Sequence, residues 1–295
     1  MDPTLKTRII SNLKDKMHSY SPQMRTAAKY IIDQQADFGL DSIRVTARKA
    51  SLSTYTFVNI AKRLNFSGFE DLRKPFRYAL VASPSSLQKT EWLDDIRKDD
   101  ELGNVYSDAA QNALSIVRRS LERQSIKQLD EVVEMLISAN KVYLTAVRSS
   151  YSIAYYLHYV GRMALPSLQL IPRHMNSAID DLNDANPGDV LIAITITPYS
   201  RETVSACEYA KKKGVKLLII SDSEVVSHQF SSDHTLVASV LSTHNFGCFS
   251  GMMSVVELLV AMLMYRGGAV ALERIKSYEN IRIENNAYWV AQKKH

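Results

Sequence analysis

The sequence predicts two domains of different class: an all-α domain at the N-terminus, followed by an α/β domain whose parallel sheet is flanked by helices. Apolar residues recur at helical spacing from Leu5 to Leu80, and a small, polar stretch follows at 82–90. Beyond residue 140, short β-rich apolar runs alternate with helical stretches, which is typical of βαβ units. We therefore place the N-terminal domain at 1–81, a linker at 82–103 and the α/β domain with its flanking helices at 104–295.

The composition is that of an ordinary globular protein. The 295 residues are 46% hydrophobic and 23% charged. The two cysteines, Cys207 and Cys248, cannot form a disulfide framework, and the first residues lack the apolar core of a signal peptide. The longest apolar stretch, 255–265, is shorter than the roughly 20 residues that a membrane-spanning helix needs. We expect a cytoplasmic protein that spans no membrane.

The positive charge is concentrated in the N-terminal domain. Residues 1–80 hold 14 Lys and Arg against 7 Asp and Glu, or +7, whereas the rest of the chain holds 22 against 24, or −2. A basic segment next to a nearly neutral one is typical of a domain that faces a polyanion. The charge pattern therefore indicates nucleic acid as a partner of the first domain.

The spacing of apolar residues predicts the individual elements. In the first domain, Ser21-Pro22 has the pattern of a helix start and Gly39 that of a helix break. Five strands are predicted at 142–147, 167–171, 189–195, 216–221 and 235–239. Helices are predicted at 104–122, 125–138, 150–161, 200–213 and 250–265.

Residues 42–64 predict a helix-turn-helix. A short helix at 42–50 is followed by a turn at 51–52, and Ser53 then stands as the N-cap of a second helix. In that second helix one face is apolar and packs on the first helix, namely Phe57, Ile60, Ala61 and Leu64. The outward face predicts DNA contacts, because a recognition helix presents its N-terminal and middle residues to the major groove.

The outward residues fall into two groups. Thr54, Tyr55 and Asn59 are candidate base readers, and the Asn59 amide can form two hydrogen bonds with an adenine. Candidate phosphate contacts, which supply affinity without sequence information, are Arg48, Lys49, Lys62 and Arg63. The alternative to DNA binding is a helical hairpin with a solvated basic face.

The stretch ASLSTYTFVNIAKRLNFSGFEDLRKPF at 50–76 resembles the N-terminal helix-turn-helix of the RpiR family of bacterial regulators. The matching positions are Ser53, Thr56, Lys62, Arg63, Leu64, Phe66, Gly68 and Phe69. Ser51 and Asn65 replace glycines of the family pattern, and Asn59 replaces its recognition-helix arginine. The resemblance implies that the partner is double-stranded operator DNA. Because of the change at Asn59, the operator sequences of relatives are not carried over to this chain.

RpiR-type regulators carry a sugar isomerase (SIS) domain after the helix-turn-helix, and residues 142–154 resemble its first strand and turn. The family reads Gly-x-Gly-x-Ser there. In this chain Ser150 fits, while Ala146 and Arg148 replace the glycines. Ser149 and Ser150 are expected at a helix N-terminus, where amides and the helix dipole attract anions, and Arg148 adds further donors. Simple helix capping by the serines is the alternative.

Residues 188–214 resemble a second SIS element, a strand followed by a Ser/Thr-rich phosphate loop and a helix. Thr195 and Thr197 occupy the hydroxyl positions of that loop, and Ser200 is expected to cap the helix and, with Arg201, to meet an anion. Both loops follow parallel strands, at whose carboxyl ends open α/β sheets bind ligands. The resemblance implies a small sugar-like, phosphorylated effector. The lost glycines also leave an unphosphorylated ligand open.

An SIS-type sugar phosphate isomerase is the rival hypothesis. Isomerisation requires a general base in the pocket, and Glu202 and His174 are the candidates. The charge of Glu202 is already explained by its place in the first helical turn, and His174 stands alone in a loop. We therefore predict no catalytic residues and a protein that is not an enzyme.

A metal or redox protein has little support, because the two cysteines stand more than forty positions apart and the histidines have no ligand-like spacing. We predict neither a metal nor a cofactor. The expected assembly is a homodimer or a dimer of dimers, joined through the α/β domain, which sets the spacing of two helix-turn-helix units on a roughly palindromic site. The effector is expected to shift that spacing.

Overall fold

The computed structural model describes residues 5–82, 91–97, 101–243 and 246–289. The chain divides into two compact units. The first, helical unit comprises Met1–Asn104 together with Ser223–Ser231, and the second, α/β unit comprises Val105–Asp222 and Ser232–His295. Much of the predicted linker at 82–103 lies outside the described residues, and within it Glu91–Arg97 forms a helix.

The first unit is built from helices, as predicted. They are α1 (Leu5–Asp15), a 3-10 turn (Met17–Ser19), α2 (Pro22–Asp33), α3 (Gln35–Leu40), α4 (Ile43–Lys49), α5 (Thr54–Arg63), α6 (Phe69–Ala82) and α7 (Glu91–Arg97). The predicted start of α2 is confirmed, since the Ser21 hydroxyl accepts the Met24 amide at 3.4 Å.

The predicted helix break at Gly39 is wrong. Gly39 lies inside α3, and the chain leaves helical geometry at Gln34, before α3, and at Asp41, after it. A helical glycine costs only about 1 kcal/mol. Packing outweighs that cost here, because the neighbouring Phe38 is fully buried.

An aromatic cluster holds α3, α5 and α6 together. The ring of Phe38 packs edge-on against Phe69 at 5.3 Å and against Phe76 at 5.0 Å, and Phe57 of α5 packs against Phe69 at 6.2 Å. Edge-to-face pairs of this kind add directional stability to the burial of their area. Phe57 therefore joins α5 to α6, and Phe38 joins α3 to α6.

The second unit contains the five predicted strands, and all of them pair in parallel. They are β1 (Val142–Thr145), β2 (Leu168–Ile171), β3 (Val190–Thr195), β4 (Lys216–Ser221) and β5 (His234–Val237), in the order β2-β1-β3-β4-β5. Val142 of β1 aligns with Leu168 on one side and with Val190 on the other. β1 and β3 are buried along their whole length, which explains their unbroken apolar sequences.

Six helices accompany the sheet: α8 (Glu101–Glu122), α9 (Ile126–Ile137), α10 (Ser150–Gly161), α11 (Ala178–Leu182), α12 (Arg201–Lys212) and α13 (Ser250–Glu284). Apolar residues of α9, α10 and α13 share one core with the strands. α12 packs on β3 and β4 and contacts α11. The predicted parallel sheet flanked by helices is confirmed.

α13 is much longer than the predicted helix at 250–265. It continues to Glu284 through Gly268, whose φ of 52° and ψ of −135° mark a kink. Beyond the kink, Arg282 donates to the Tyr159 hydroxyl of α10 at 2.6 Å, and its guanidinium lies over the Tyr159 and Tyr278 rings. These contacts hold a segment whose own sequence lacks a strong apolar face.

Among the residues that the structure describes, α13 is the one helix long and apolar enough to cross a membrane by length and composition. A core helix of a folded domain meets the same test. Before the kink, its Met252, Val255, Leu259 and Leu263 side chains are buried in the core that it shares with the sheet. The sequence had indicated a shorter apolar segment.

Candidate functional sites

The helix-turn-helix is closed by two serine caps. The Ser42 hydroxyl accepts the Val45 amide of α4 at 3.4 Å, and the Ser53 hydroxyl accepts the Thr56 amide of α5 at 3.3 Å. Ser51, in the turn between them, has a φ of 54°. Glycine adopts this left-handed conformation without steric cost. The family's glycine at this position is therefore explained by a backbone geometry that this chain retains.

The predicted faces of α5 are confirmed. Phe57, Ile60 and Ala61 are fully buried and Leu64 is 7% exposed. On the opposite face Tyr55 is 70% exposed, Thr54 is exposed and Asn59 is half-buried. The three candidate base readers are therefore accessible from outside the helical unit, and their contact with DNA stays a prediction.

All four candidate phosphate contacts are exposed cations: Arg48, Lys49, Lys62 and Arg63. Lys49 differs, because its ammonium nitrogen lies 2.8 Å from Asp37 Oδ2 and 2.7 Å from Asp41 Oδ2. Hydrogen bonds to these two carboxylates raise the pKa of Lys49. Its charge is thus already compensated, and we expect less phosphate affinity from it than from Lys62.

The second candidate site is a cavity of about 390 Å³ in the α/β unit. It is lined by Arg148, Ser177, Ile179, Ser200, Arg201, Glu202 and Ser205. Arg148 follows β1 and Ser200 follows β3, and the strand order reverses between these two strands. Such a reversal opens a crevice at the carboxyl edge of the sheet. The sequence predicted three of the lining residues: Arg148, Ser200 and Arg201.

The loop after β1 has an unusual backbone. Arg148 has a φ of 56°, in the left-handed region that the family pattern reserves for glycine, and it carries a side chain to the cavity. Ser149 is the N-cap of α10, but its hydroxyl makes no capping hydrogen bond. Ser150 begins the helix and is 6% exposed. The two serines lie at the helix N-terminus as predicted, outside the cavity lining.

The loop after β3 contributes differently from the prediction. Thr195 is buried at the end of β3, and the Thr197 amide donates to Asp222 Oδ1 at 3.1 Å. Neither threonine lines the cavity. Ser200 holds the N-cap position of α12, but the predicted capping hydrogen bond is absent. The hydroxyl of Ser200 is therefore not engaged by the helix that it precedes.

Sequence patterns did not predict that Ser177, Ile179 and Ser205 line the cavity. Glu202 was considered only as a candidate general base. Ser177 belongs to a capping box, in which its amide donates to Asp180 Oδ2 at 2.9 Å. A serine followed three residues later by an acid is a helix-start signal. Ser205 stands four residues after Arg201, so the two share a face of α12.

Asp181 fixes the loop that leads to Ser177. Its buried carboxylate accepts the Arg173 backbone amide at 2.8 Å and the Arg173 Nε at 2.7 Å. Burial acts to raise the pKa of Asp181, but the hydrogen bonds from Arg173 outweigh it and hold the pKa below its usual value. His174 is exposed in the same loop and does not line the cavity.

The cavity offers more positive than negative charge. Two guanidinium groups stand against one carboxylate, with three serine hydroxyls around them. Within the described part of the chain, neither Arg148 nor Arg201 has an ion-pair partner. Forked donors that are not already paired bind phosphate or carboxylate well. The arrangement therefore suits an anion that carries hydroxyl groups.

Among the described residues, no group of three His, Cys, Asp or Glu side chains could hold a metal ion. The thiol of Cys207 is buried, and this burial raises its pKa to about 12. At neutral pH Cys207 is therefore a thiol and not a thiolate, and it does not favour nucleophilic or metal-binding chemistry, which requires the thiolate.

Comparison with known proteins identifies one domain of the chain and relatives of the whole chain. Residues 135–265 match the model of the SIS domain. An uncharacterised HTH-type transcriptional regulator of Escherichia coli, YfhH, is 25% identical over 277 residues, which cover 90% of this chain and 95% of the relative. The chain carries a SIS domain. The SIS domain expected from residues 142–154 and 188–214 is thereby confirmed, and the HTH-type relative agrees with the helix-turn-helix expected from residues 42–64.

Two solved structures share the fold of this chain. The sugar isomerase domain of an RpiR transcription factor from Sphaerobacter thermophilus covers 58% of this chain and 96% of its own, with a TM-score of 0.55 and 22% identity. Vibrio vulnificus NanR, complexed with ManNAc-6P, covers 94% and 98%, with a TM-score of 0.55 and 19% identity. The second match extends over the helical unit as well as the SIS domain.

Proposed function

We propose that this protein is a transcriptional regulator of the RpiR type. It binds operator DNA through α5, and a small anionic, sugar-like effector in the SIS cavity changes its affinity for that DNA. The observation that carries the proposal is the presence, in one chain, of a capped helix with an accessible polar face and a cavity with two unpaired guanidinium groups. The match to an HTH-type transcriptional regulator over 90% of the chain supports it.

The DNA-binding half rests on the exposed side of α5. Thr54 and Tyr55 stand in its first turn, which a recognition helix inserts into the major groove, and Asn59 follows one turn later. An asparagine amide matches the donor and acceptor of adenine, and the exposed Lys62 is placed to meet the backbone. The +7 charge of residues 1–80 favours approach to DNA.

The effector half rests on the chemistry of the cavity lining. A volume of about 390 Å³ lies in the range of small-molecule sites. Arg148 and Arg201 would hold the anionic group, while Glu202 and the serines would bind hydroxyls. The complex of NanR with ManNAc-6P makes sugar phosphates the first class to test.

For the assembly, we propose a cytoplasmic homodimer or dimer of dimers. Two copies of α5 related by a two-fold axis would read two half-sites of a palindromic operator. An effector that binds one arrangement of the two copies more tightly than the other would shift the population toward it. Analytical ultracentrifugation of the full chain measures the assembly directly.

The decisive experiment selects DNA from a random-sequence pool with the full chain and measures affinity for the selected sequence between 50 and 300 mM salt. We expect enrichment of one site and a steep fall in affinity with salt, because released counterions drive phosphate contacts. As a matched pair, Lys62→Ala is expected to reduce the slope of log affinity against log salt by about one, whereas Lys127→Ala, at an exposed residue of α9, leaves the slope unchanged. An unselective pool, or an affinity indifferent to salt, would reject the proposal.

Isomerase activity is the second candidate, and the presence of Glu202 in the cavity favours it. A carboxylate there could act as a general base beside a sugar carbonyl. We nevertheless propose a non-enzymatic protein, because the described residues that line the cavity include no histidine and no second carboxylate to complete the proton transfers. NMR spectra of aldose and ketose phosphates incubated with the purified protein test this, and any interconversion above the buffer rate would establish the enzyme.

A further inference from the structure

The connection between β4 and β5 is divided between the two units. Asp222 is the last residue of the first stretch of the α/β unit, whereas Ser223–Ser231 belongs to the helical unit. The chain thus passes from one unit to the other within a single peptide bond. The contacts of Asp222 on one side of that bond and of Ser223 on the other determine whether a movement in one unit can reach the other.

On the helical side the segment is tightly held. Ser223 is 1% exposed, and its hydroxyl oxygen lies 2.6 Å from Lys29 Nζ and 2.6 Å from Asp33 Oδ1. Lys29 also donates to the Val225 carbonyl at 2.9 Å, and Glu224 forms an ion pair with Lys14 of α1. The Val225 side chain packs against the helical core. Both α1 and α2 therefore hold this segment.

On the α/β side the preceding residue is bonded to the loop before α12. Asp222 Oδ1 accepts the Thr197 amide at 3.1 Å and the Ser221 hydroxyl at 3.2 Å. Thr197 stands three residues before Ser200, which lines the cavity. The Thr197 amide that Asp222 accepts and the cavity-lining Ser200 therefore belong to one short loop.

We propose that the Asp222–Ser223 peptide couples the effector cavity to the helical unit. Effector binding changes the Thr197–Asp222 hydrogen bond, and the peptide bond passes this change to Ser223. The hydrogen bonds of the buried Ser223 to Lys29 and Asp33 keep it from moving independently of α2. A buried group such as the Ser223 hydroxyl either moves together with its hydrogen-bond partners or loses those hydrogen bonds at a cost in free energy. The connection therefore favours two discrete arrangements. This inference rests on the proposed function and adds the route by which the cavity reaches α2.

The test uses hydrogen–deuterium exchange of the full chain, with inorganic phosphate as the anion and chloride at equal ionic strength as the reference. In the wild type we expect phosphate to change exchange in the loop at 195–200 and also in α2, at 22–33, by about fivefold or more, the lower end of typical couplings. Ser223→Ala keeps the loop response and loses the α2 response. The variant should fold, because Lys29 and Asp33 remain paired with each other at 2.9 Å.

Ser231→Ala is the matched control, since this serine is exposed in the same segment. It is expected to respond like the wild type at both sites. A loop response without an α2 response in the wild type, or an unchanged α2 response in Ser223→Ala, overturns the coupling alone. No loop response to phosphate in the wild type counts against the anion site of the proposed function, and the coupling falls with it.

Discussion

The Ser53 hydroxyl oxygen lies 3.3 Å from the Thr56 amide nitrogen and 3.0 Å from the Thr56 hydroxyl, and this pair begins α5. The first turn of α5 carries Thr54 and Tyr55. The capping bond therefore supports the turn that we expect to enter the major groove.

Ser53→Ala should remove that support. Loss of a serine N-cap costs about 1 kcal/mol of stability, and we also expect weaker binding to the selected DNA because the first turn of α5 frays. Ser53→Thr, which keeps a hydroxyl, should retain both properties. Thermal denaturation and fluorescence anisotropy measure the two effects, and equal DNA affinity in the alanine and threonine variants would argue against a role for the cap.

Asn59→Ala and Lys62→Ala should change DNA binding in different ways: the first should lower sequence discrimination, and the second should lower affinity for every sequence. Loss of a bidentate contact to a base costs about 1–3 kcal/mol and lowers discrimination between matched and mismatched DNA. Loss of a phosphate contact weakens binding to every sequence alike. Anisotropy with the selected DNA and with single-base variants separates the two. If Asn59→Ala weakened all sequences equally, Asn59 would not be a base reader.

Arg148→Ala and Ser200→Ala should weaken effector binding. A ligand at 100 times its dissociation constant stabilises a protein by about 2.7 kcal/mol, so a thermal-shift screen of matched sugars and sugar phosphates should identify a stabilising ligand. The arginine variant should lose most of the response to phosphorylated ligands. Arg119→Ala and Ser138→Ala, exposed positions on α8 and at the end of α9, serve as controls. A full response in both cavity variants would place the ligand elsewhere.

Ser51→Gly should stabilise the helical unit. A left-handed conformation costs a non-glycine residue roughly 1–2 kcal/mol, and part of that is offset because glycine loses more freedom on folding. We expect a gain of up to about 1 kcal/mol with unchanged DNA affinity. Ser138→Gly, at a residue with φ of −77°, should instead destabilise. Denaturant unfolding followed by circular dichroism compares the two, and a loss of stability in Ser51→Gly would contradict the strain.

The lowered pKa of Asp181 should contribute its full stability above about pH 4 and lose it at lower pH. Its pKa is lowered in the folded protein by hydrogen bonds from Arg173 that outweigh burial. A depressed carboxyl pKa stabilises the fold above the unfolded value, near 3.9, and the contribution disappears as pH falls through the folded value. The difference in melting temperature between wild type and Asp181→Asn should therefore be largest at pH 7 and shrink toward pH 3. Asp184→Asn, an exposed neighbour, should show no such trend.

Elements with a local signal were predicted well. The runs at 216–221 and 189–195 are apolar enough to be buried strands whatever surrounds them, and they form β4 and, without residue 189, β3. The spacing of Phe57, Ile60, Ala61 and Leu64 likewise defined the buried face of α5. Gly39 shows the limit of local signals, because the packing of Phe38 overrides the helix-breaking tendency of its neighbour.

The amino-acid sequence by itself determined the order of the five strands, the cap of α5, and the placement of Arg148 and Ser200 after parallel strands. Local hydrogen bonds and the periodicity of apolar residues are sufficient for these features. Only the tertiary structure decided which side chains meet. Ser177 joins the cavity lining, Lys49 pairs with Asp37 and Asp41, and Ser223 packs with the helical unit. The physical reason is that such contacts join residues from different elements, so no periodicity within one element records them.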